Sequence, residues 1–215
     1  MNREIAVLFD MDGVVVDTEP QYDIFWKSIG EKYLPEVEDL EKKIKGTVNQ
    51  DIYTNYFSHF SEYELQQLAR QVEEYELNMD FFEIPGAMDF IRSLKQQGIK
   101  TGLVTSSSEA KVKKVGKALG FGGLFDTIVA AERIKEGKPH PMCYLLAAQD
   151  LEMHPADCYV FEDSFAGIQA GNNAGMKVIG LSTTHPAESL QGKVIQVIPD
   201  FRGFQLSMVN SSSIV

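Results

Sequence analysis

The chain has 215 residues, 44% hydrophobic and 24% charged, with a formal net charge of −11. That balance argues against nucleic acid or an anionic membrane surface as partner, since both reward a basic face, and no apolar run is long enough to span a bilayer. The length suffices for one sizeable core plus a smaller inserted unit, and Cys143 and Cys158 lack metal-type spacing, as free thiols of a reducing compartment would.

The N-terminal Met1-Asn2-Arg3-Glu4 leads straight into an apolar strand, predicted at residues 5–9, with no signal-peptide pattern, so a cytoplasmic protein is expected. From residue 18 to about residue 82 the texture is helical with polar breaks. Thr18 is placed to cap a helix with Glu19 and Pro20 in its first turn, and Tyr22, Phe25, Trp26 and Ile29 recur on one face. A second helix is predicted over residues 62–76, with Leu65, Leu68, Ala69 and Val72 as its buried stripe. Ile84-Pro85-Gly86 punctuates, and a helix over residues 87–97 feeds a strand at residues 101–104. Further strands at 127–130, 159–161, 177–181 and 194–198 alternate with helices. The fold class is therefore α/β: a Rossmann-like parallel sheet core in residues 1–16 and 83–206, an inserted helical bundle in residues 17–82, and a frayed tail at 207–215.

The strand ends carry the chemistry. The first delivers Asp10-Met11-Asp12-Gly13, two carboxylates two residues apart at a strand terminus. Like charges so placed repel, and a hard divalent cation such as Mg²⁺ resolves the conflict. The spacing also suits chemistry that pairs an ionised carboxylate as nucleophile with a protonated one as acid, although such a run equally fits a polar turn after a core strand. Val104-Thr105-Ser106-Ser107-Ser108 closes the second core strand, Gly137-Lys138-Pro139 follows the third, and Phe161-Glu162-Asp163-Ser164 ends the fourth. In an open parallel sheet the carboxyl ends line one crevice, where these groups can converge.

This set, in this order, resembles the haloacid dehalogenase superfamily, in particular its phosphatase and β-phosphoglucomutase-like branch, over the chain to about Gln205. The resemblance implies Mg²⁺ as cofactor and a small phosphorylated metabolite as substrate. It casts Asp10 as the nucleophile that forms an aspartyl-phosphate and also binds metal, and Asp12 as general acid and then base, with its backbone carbonyl on the metal. Thr105 would supply a hydroxyl, and Ser106 an N–H, to the phosphoryl oxygens, with Gly13 beside them; the three serines also suit a helix N-cap. Lys138 would pair with the phosphate and Asp10. Glu162 and Asp163 would complete the metal site, Glu162 directly or through water. The helical insert would be a cap, hinged near residues 15–18 and 82–85, that excludes water and selects substrate.

The mutase markers of the branch are read position by position. Tyr22 stands where the mutases have a histidine, and Asn49, in Lys45-Gly46-Thr47-Val48-Asn49-Gln50, where they have a phosphate-clamping arginine. An amide cannot give a bidentate charged clamp. Arg70 falls near a further cap lysine. Hydrolysis of a phosphate monoester, a sugar phosphate in kind, is therefore expected before a β-phosphoglucomutase-type transfer, with a non-catalytic phosphometabolite sensor as the rival of another class. Substrate-facing candidates in the insert are Glu19, Tyr22, Lys45, Asn49 and Gln50, and a monomer is expected. A two-component receiver uses similar groups, but its phosphorylated aspartate ends a later strand. Gly167, Gly171 and Gly175 read as close helix packing without chemistry, and His59, His154 and His185 as surface residues.

Overall fold

The computed structural model describes residues 4–44, 47 and 49–208. It divides into two compact units, one taking in Met1–Asp17 and Phe81–Val215, the other Thr18–Asp80.

The larger unit starts with strand β1 (Ala6–Phe9), all four residues of which are buried. Strand β2 (Val16–Asp17) pairs antiparallel with β3 (Phe82–Glu83) in a two-residue ribbon. Nothing in the hydropathy announces this ribbon, because two residues are too few to show a period. The chain continues through helix α5 (Ala87–Gln96, the first four helices lying in the smaller unit), β4 (Lys100–Val104), α6 (Glu109–Leu119), β5 (Thr127–Val129), α7 (Met142–Asp150), β6 (Cys158–Glu162), α8 (Phe165–Asn173), β7 (Lys177–Leu181), α9 (Ala187–Leu190) and β8 (Gln196–Ile198).

The six long strands form one sheet in the order β5-β4-β1-β6-β7-β8, and every pair in it is parallel. Parallel strands covered by helices on both faces read as continuous apolar runs, which is how 5–9 and 177–181 stand out in the sequence. One face of the sheet packs with Met88, Ile91 and Leu94 of α5 and Val112 and Val115 of α6; the other packs with Tyr144 and Ala147 of α7 and Ile168 and Ala170 of α8. Phe9 and Phe161, side by side on β1 and β6, stack with ring centroids 5.2 Å apart. The strand order reverses around β1, with β4 on one side and β6 on the other. A crevice opens beyond the carboxyl ends of strands at such a point.

The smaller unit holds α1 (Glu19–Tyr33), α2 (Leu40–Lys43), α3 (Asn49–Tyr56) and α4 (Glu62–Asn78). Its core joins Phe25, Trp26 and Ile29 of α1 to Leu40, Ile52, Phe57, Leu68 and Val72. Ser61 opens α4 with a reciprocal capping box to Glu64. The buried stripe of α4 differs from the expected one in one member: Ala69 is exposed, and Tyr75 packs on the core instead. Steps of three, four and three from Leu65 reach Leu68, Val72 and Tyr75, which leaves residue 69 on the flank. Among the described residues no helix is long and apolar enough to cross a membrane, and both cysteines are free and buried.

Candidate active site

The first carboxylate leaves the sheet one residue past β1. The Asp10 amide still donates to the Phe161 carbonyl at 3.0 Å, after which the amides of Val15 and Val16 turn back onto the Met11 carbonyl at 2.9 and 3.0 Å. Gly13 takes a φ of +74°, and a Cβ built there would lie 2.0 Å from Oδ2 of Asp163. Only glycine allows that backbone shape and leaves the Asp163 carboxylate its space.

Lys138 joins two strand ends. Its buried ammonium donates to Oδ1 of Asp10 at 2.6 Å and to Oε1 of Glu162 at 2.5 Å. The Tyr144 hydroxyl, on α7, donates to the same Glu162 oxygen at 2.8 Å. The other Glu162 oxygen accepts from the amides of Asp163 and Ser164 at 3.1 and 3.2 Å and from the Ser164 hydroxyl at 3.1 Å. Glu162 is fully buried, and both its oxygens are thus engaged by donors. Gly167, in the first turn of α8, makes room for it: a Cβ there would fall 1.7 Å from Oε1 of Glu162. This glycine therefore has a part in the site that helix packing alone does not suggest.

Burial pushes the Asp10 carboxyl up to about 7, with Lys138 pulling it down and Glu162 and Asp12 pushing the same way as burial. For Lys138, burial works against the charge, but the Asp10 and Glu162 carboxylates outweigh it and hold the ammonium protonated. Burial, then Glu162, raises the Tyr144 phenol well above its ordinary value, so it remains a donor.

Asp12 has partners that the sequence does not reveal. Its Oδ1 accepts from Nζ of Lys111 at 2.7 Å, and its Oδ2 from the Ser107 hydroxyl at 2.8 Å. The Asp12 side chain is 22% exposed and that of Lys111 0%. Thr105 is buried at the end of β4, its amide donating to the Val129 carbonyl and its hydroxyl accepting from the Ser107 amide at 3.0 Å. Ser106 is exposed, and Ser108 caps α6 by accepting from the Lys111 amide. The serine run is divided: Ser108 caps the helix and Ser107 holds Asp12.

Asp163, also buried, accepts from the Thr184 hydroxyl in the loop after β7, and the neighbouring Thr183 hydroxyl donates to the Gly13 carbonyl at 2.6 Å. This Thr-Thr pair binds both carboxylate-bearing loops to a third, and no motif in the sequence marks it. Ligand oxygens of Asp10, Glu162 and Asp163 lie within 4.8 Å of one another. Three clustered carboxylates, two of them sharing the Lys138 ammonium and the third, Asp163, given its space by Gly13, offer the oxygen donors that suit a hard divalent cation.

In the helical unit, Asn49 and Gln50 stand exposed at the start of α3, Glu19 is half-buried at the start of α1, and the Tyr22 hydroxyl donates to Oε1 of Glu76 at 2.6 Å. Lys45 lies outside the described residues. His59 and His154 are exposed, whereas His185 is half-buried and stacks on Phe165 with centroids 4.2 Å apart.

A family model for haloacid dehalogenase-like hydrolases matches residues 7–181. A phosphorylated carbohydrates phosphatase of Thermotoga maritima is 33% identical over 180 residues, covering 81% of this chain and 83% of that protein. A beta-phosphoglucomutase of Bacillus subtilis is 32% identical over 193 residues, 84% of each chain. Among solved structures, a family IA haloacid dehalogenase hydrolase of Entamoeba histolytica superposes with a TM-score of 0.83 at 25% identity, covering 95% of this chain and 96% of that one.

Proposed function

The chain belongs to the haloacid dehalogenase-like hydrolase family, and on that footing we propose that it is a Mg²⁺-dependent phosphatase of a small phosphorylated metabolite, a sugar phosphate in class. The observation that carries this reading is the buried Lys138 ammonium bridging Asp10 and Glu162 beside Asp163. Relatives named as phosphatases of phosphorylated carbohydrates, hexitols and fructose 1-phosphate support the substrate class.

Asp10, Asp163 and the Asp12 backbone carbonyl would hold Mg²⁺, which supplies charge neutralisation at the phosphoryl oxygens. Glu162, with its oxygens engaged by Lys138, Tyr144 and the Ser164 turn, serves chiefly to hold Lys138. Lys138 in turn aims Asp10 and opposes the burial that favours its protonated form, and Thr105 and the Ser106 amide bind phosphoryl oxygens. An Asp10 oxygen attacks phosphorus, the ester P–O bond breaks, and Asp12 gives the leaving oxygen its proton. Water then attacks the phosphorus of the aspartyl-phosphate, Asp12 takes the water's proton, and inorganic phosphate leaves with Asp10 restored. We assign substrate selection to the helical unit, through Glu19, Tyr22, Lys45, Asn49 and Gln50.

The test is a phosphorus NMR time course with Mg²⁺ on a panel of hexose and hexitol phosphates. It includes β-glucose 1-phosphate with a trace of glucose 1,6-bisphosphate. Growth of inorganic phosphate, reduced about 10⁴-fold or more in Asp10→Asn, is expected. Conversion of β-glucose 1-phosphate to glucose 6-phosphate without free phosphate would replace hydrolysis by phosphoryl transfer between sugar hydroxyls, and an unchanged spectrum across the panel would overturn both.

A further inference from the structure

We propose that Lys111 and Ser107 are positioning residues that hold Asp12 as the base for breakdown of the aspartyl-phosphate, a role that rests on the phosphatase reading above. Helix α6 carries four lysines; Lys113, Lys114 and Lys117 are exposed, as expected of a solvated face, and Lys111 alone is fully buried. Burying an ammonium is unfavourable unless a counter-charge meets it, and an apolar residue would fill the same space without that cost. The counter-charge is Oδ1 of Asp12, 2.7 Å away, while Ser107 occupies Oδ2 at 2.8 Å. With a donor on each oxygen, the carboxylate plane is fixed about both its side-chain torsions.

Both donors come from one short segment. Ser107 lies in the turn that follows β4, and its amide is itself anchored on the Thr105 hydroxyl at 3.0 Å. Lys111 sits one turn into α6, whose start is fixed by the Ser108 cap. The orientation of Asp12 is thus inherited from the end of a buried strand and a capped helix. A general base needs such fixing, because proton transfer depends on its angle to the attacking water.

An ammonium and a hydroxyl donor suit the carboxylate form of Asp12. That form exists after the leaving group has taken its proton, and it is the one that accepts the proton of water. The pair therefore serves the second half of the reaction more than the first. 4-Nitrophenyl phosphate separates the halves, since nitrophenolate leaves without a proton and its release reports formation of the phosphoenzyme alone.

The experiment is stopped-flow release of nitrophenolate with Mg²⁺ by wild type, Lys111→Met, Lys111→Arg and Ser107→Ala, each with its melting temperature. Lys111→Met keeps the aliphatic stem and removes the charge. The expected result is a burst approaching one equivalent per site, followed by a steady state at least about tenfold slower than wild type. Ser107→Ala should show the same partition in weaker form, and Lys111→Arg should recover part of the steady-state rate. Rate losses without a burst, matched by lower melting temperatures, would mean that the two residues only support the fold. Ser107→Ala, which empties little volume, gives that answer even where Lys111→Met does not fold. Wild type that releases no nitrophenolate would overturn the phosphatase reading and this inference with it, whereas an active wild type with unchanged partition in the variants would overturn this inference only.

Discussion

Gly167 and Gly171 sit one turn apart on α8 and make opposite demands. A Cβ at Gly167 would run into the Glu162 carboxylate, 1.7 Å from Oε1, while one at Gly171 would meet the Val178 side chain at 2.7 Å. Gly167→Ala must displace the group that holds Lys138, so it is expected to lower kcat by about tenfold or more, as loss of a supporting contact typically does. Gly171→Ala strains an apolar contact between α8 and β7 and is expected to cost about 1–3 kcal/mol of stability with kcat retained. Steady-state kinetics beside urea unfolding of both variants decides this; a Gly167→Ala enzyme with full kcat would remove Glu162 from the chain of support. The sequence shows two glycines at helical spacing and cannot tell them apart, since the difference lies in what each faces. Lys111 is hidden for the same reason: beside Lys113 and Lys114 it reads as one more surface lysine, and only the fold shows that it points inward to Asp12.

At the scale of elements, the sheet ends abruptly at β5, and one ionic cluster fixes that edge. Arg133 forms a two-pronged pair with Asp150 at 2.7 and 3.0 Å and also donates to the Ile128 carbonyl; Thr127 donates to the same carboxylate. The Arg133 guanidinium holds the Asp150 carboxyl below its ordinary range, burial opposing it and Thr127 assisting. A depressed folded value adds stability that is present above the unfolded pKa, near 3.9, and is lost as pH falls through the folded one. Because both side chains are about a third exposed, solvent screens the pair and its worth is about 1 kcal/mol. Asp150→Asn is therefore expected to melt about 2–4 °C below wild type at pH 7, with the gap closing as pH falls below about 4. A gap that stays constant over that range would show that the charge contributes nothing. The central strands β1, β4, β6 and β7 were legible as elements because they are buried on both faces, and the order of the strand-end groups pointed to most of the candidate site: Asp10, Thr105, Lys138, Glu162 and Asp163. The β2–β3 ribbon was not, being too short for a pattern, and Tyr144, Thr183 and Thr184 were not, because each acts only through a neighbour that the fold supplies.

Over the whole molecule, a net charge of −11 surrounds a site proposed to bind an anion. The local balance explains how: the buried Lys138 and Lys111 both lie among the strand-end carboxylates, and a divalent cation held by Asp10 and Asp163 would reverse the remaining sign there. Composition alone argues only against extended polyanions, which need a basic face, and says nothing against a small phosphate ester in a cleft. The most direct test of the account asks whether Asp10 itself becomes phosphorylated. Enzyme turning over 4-nitrophenyl phosphate with Mg²⁺ would be quenched and treated with borohydride, which reduces an acyl phosphate to the alcohol, and then digested for mass spectrometry. The account predicts homoserine at position 10, more of it in Asp12→Ala than in wild type, and none in Asp10→Asn. Steady release of phosphate with an unmodified Asp10, or reduction at another carboxylate, would contradict it.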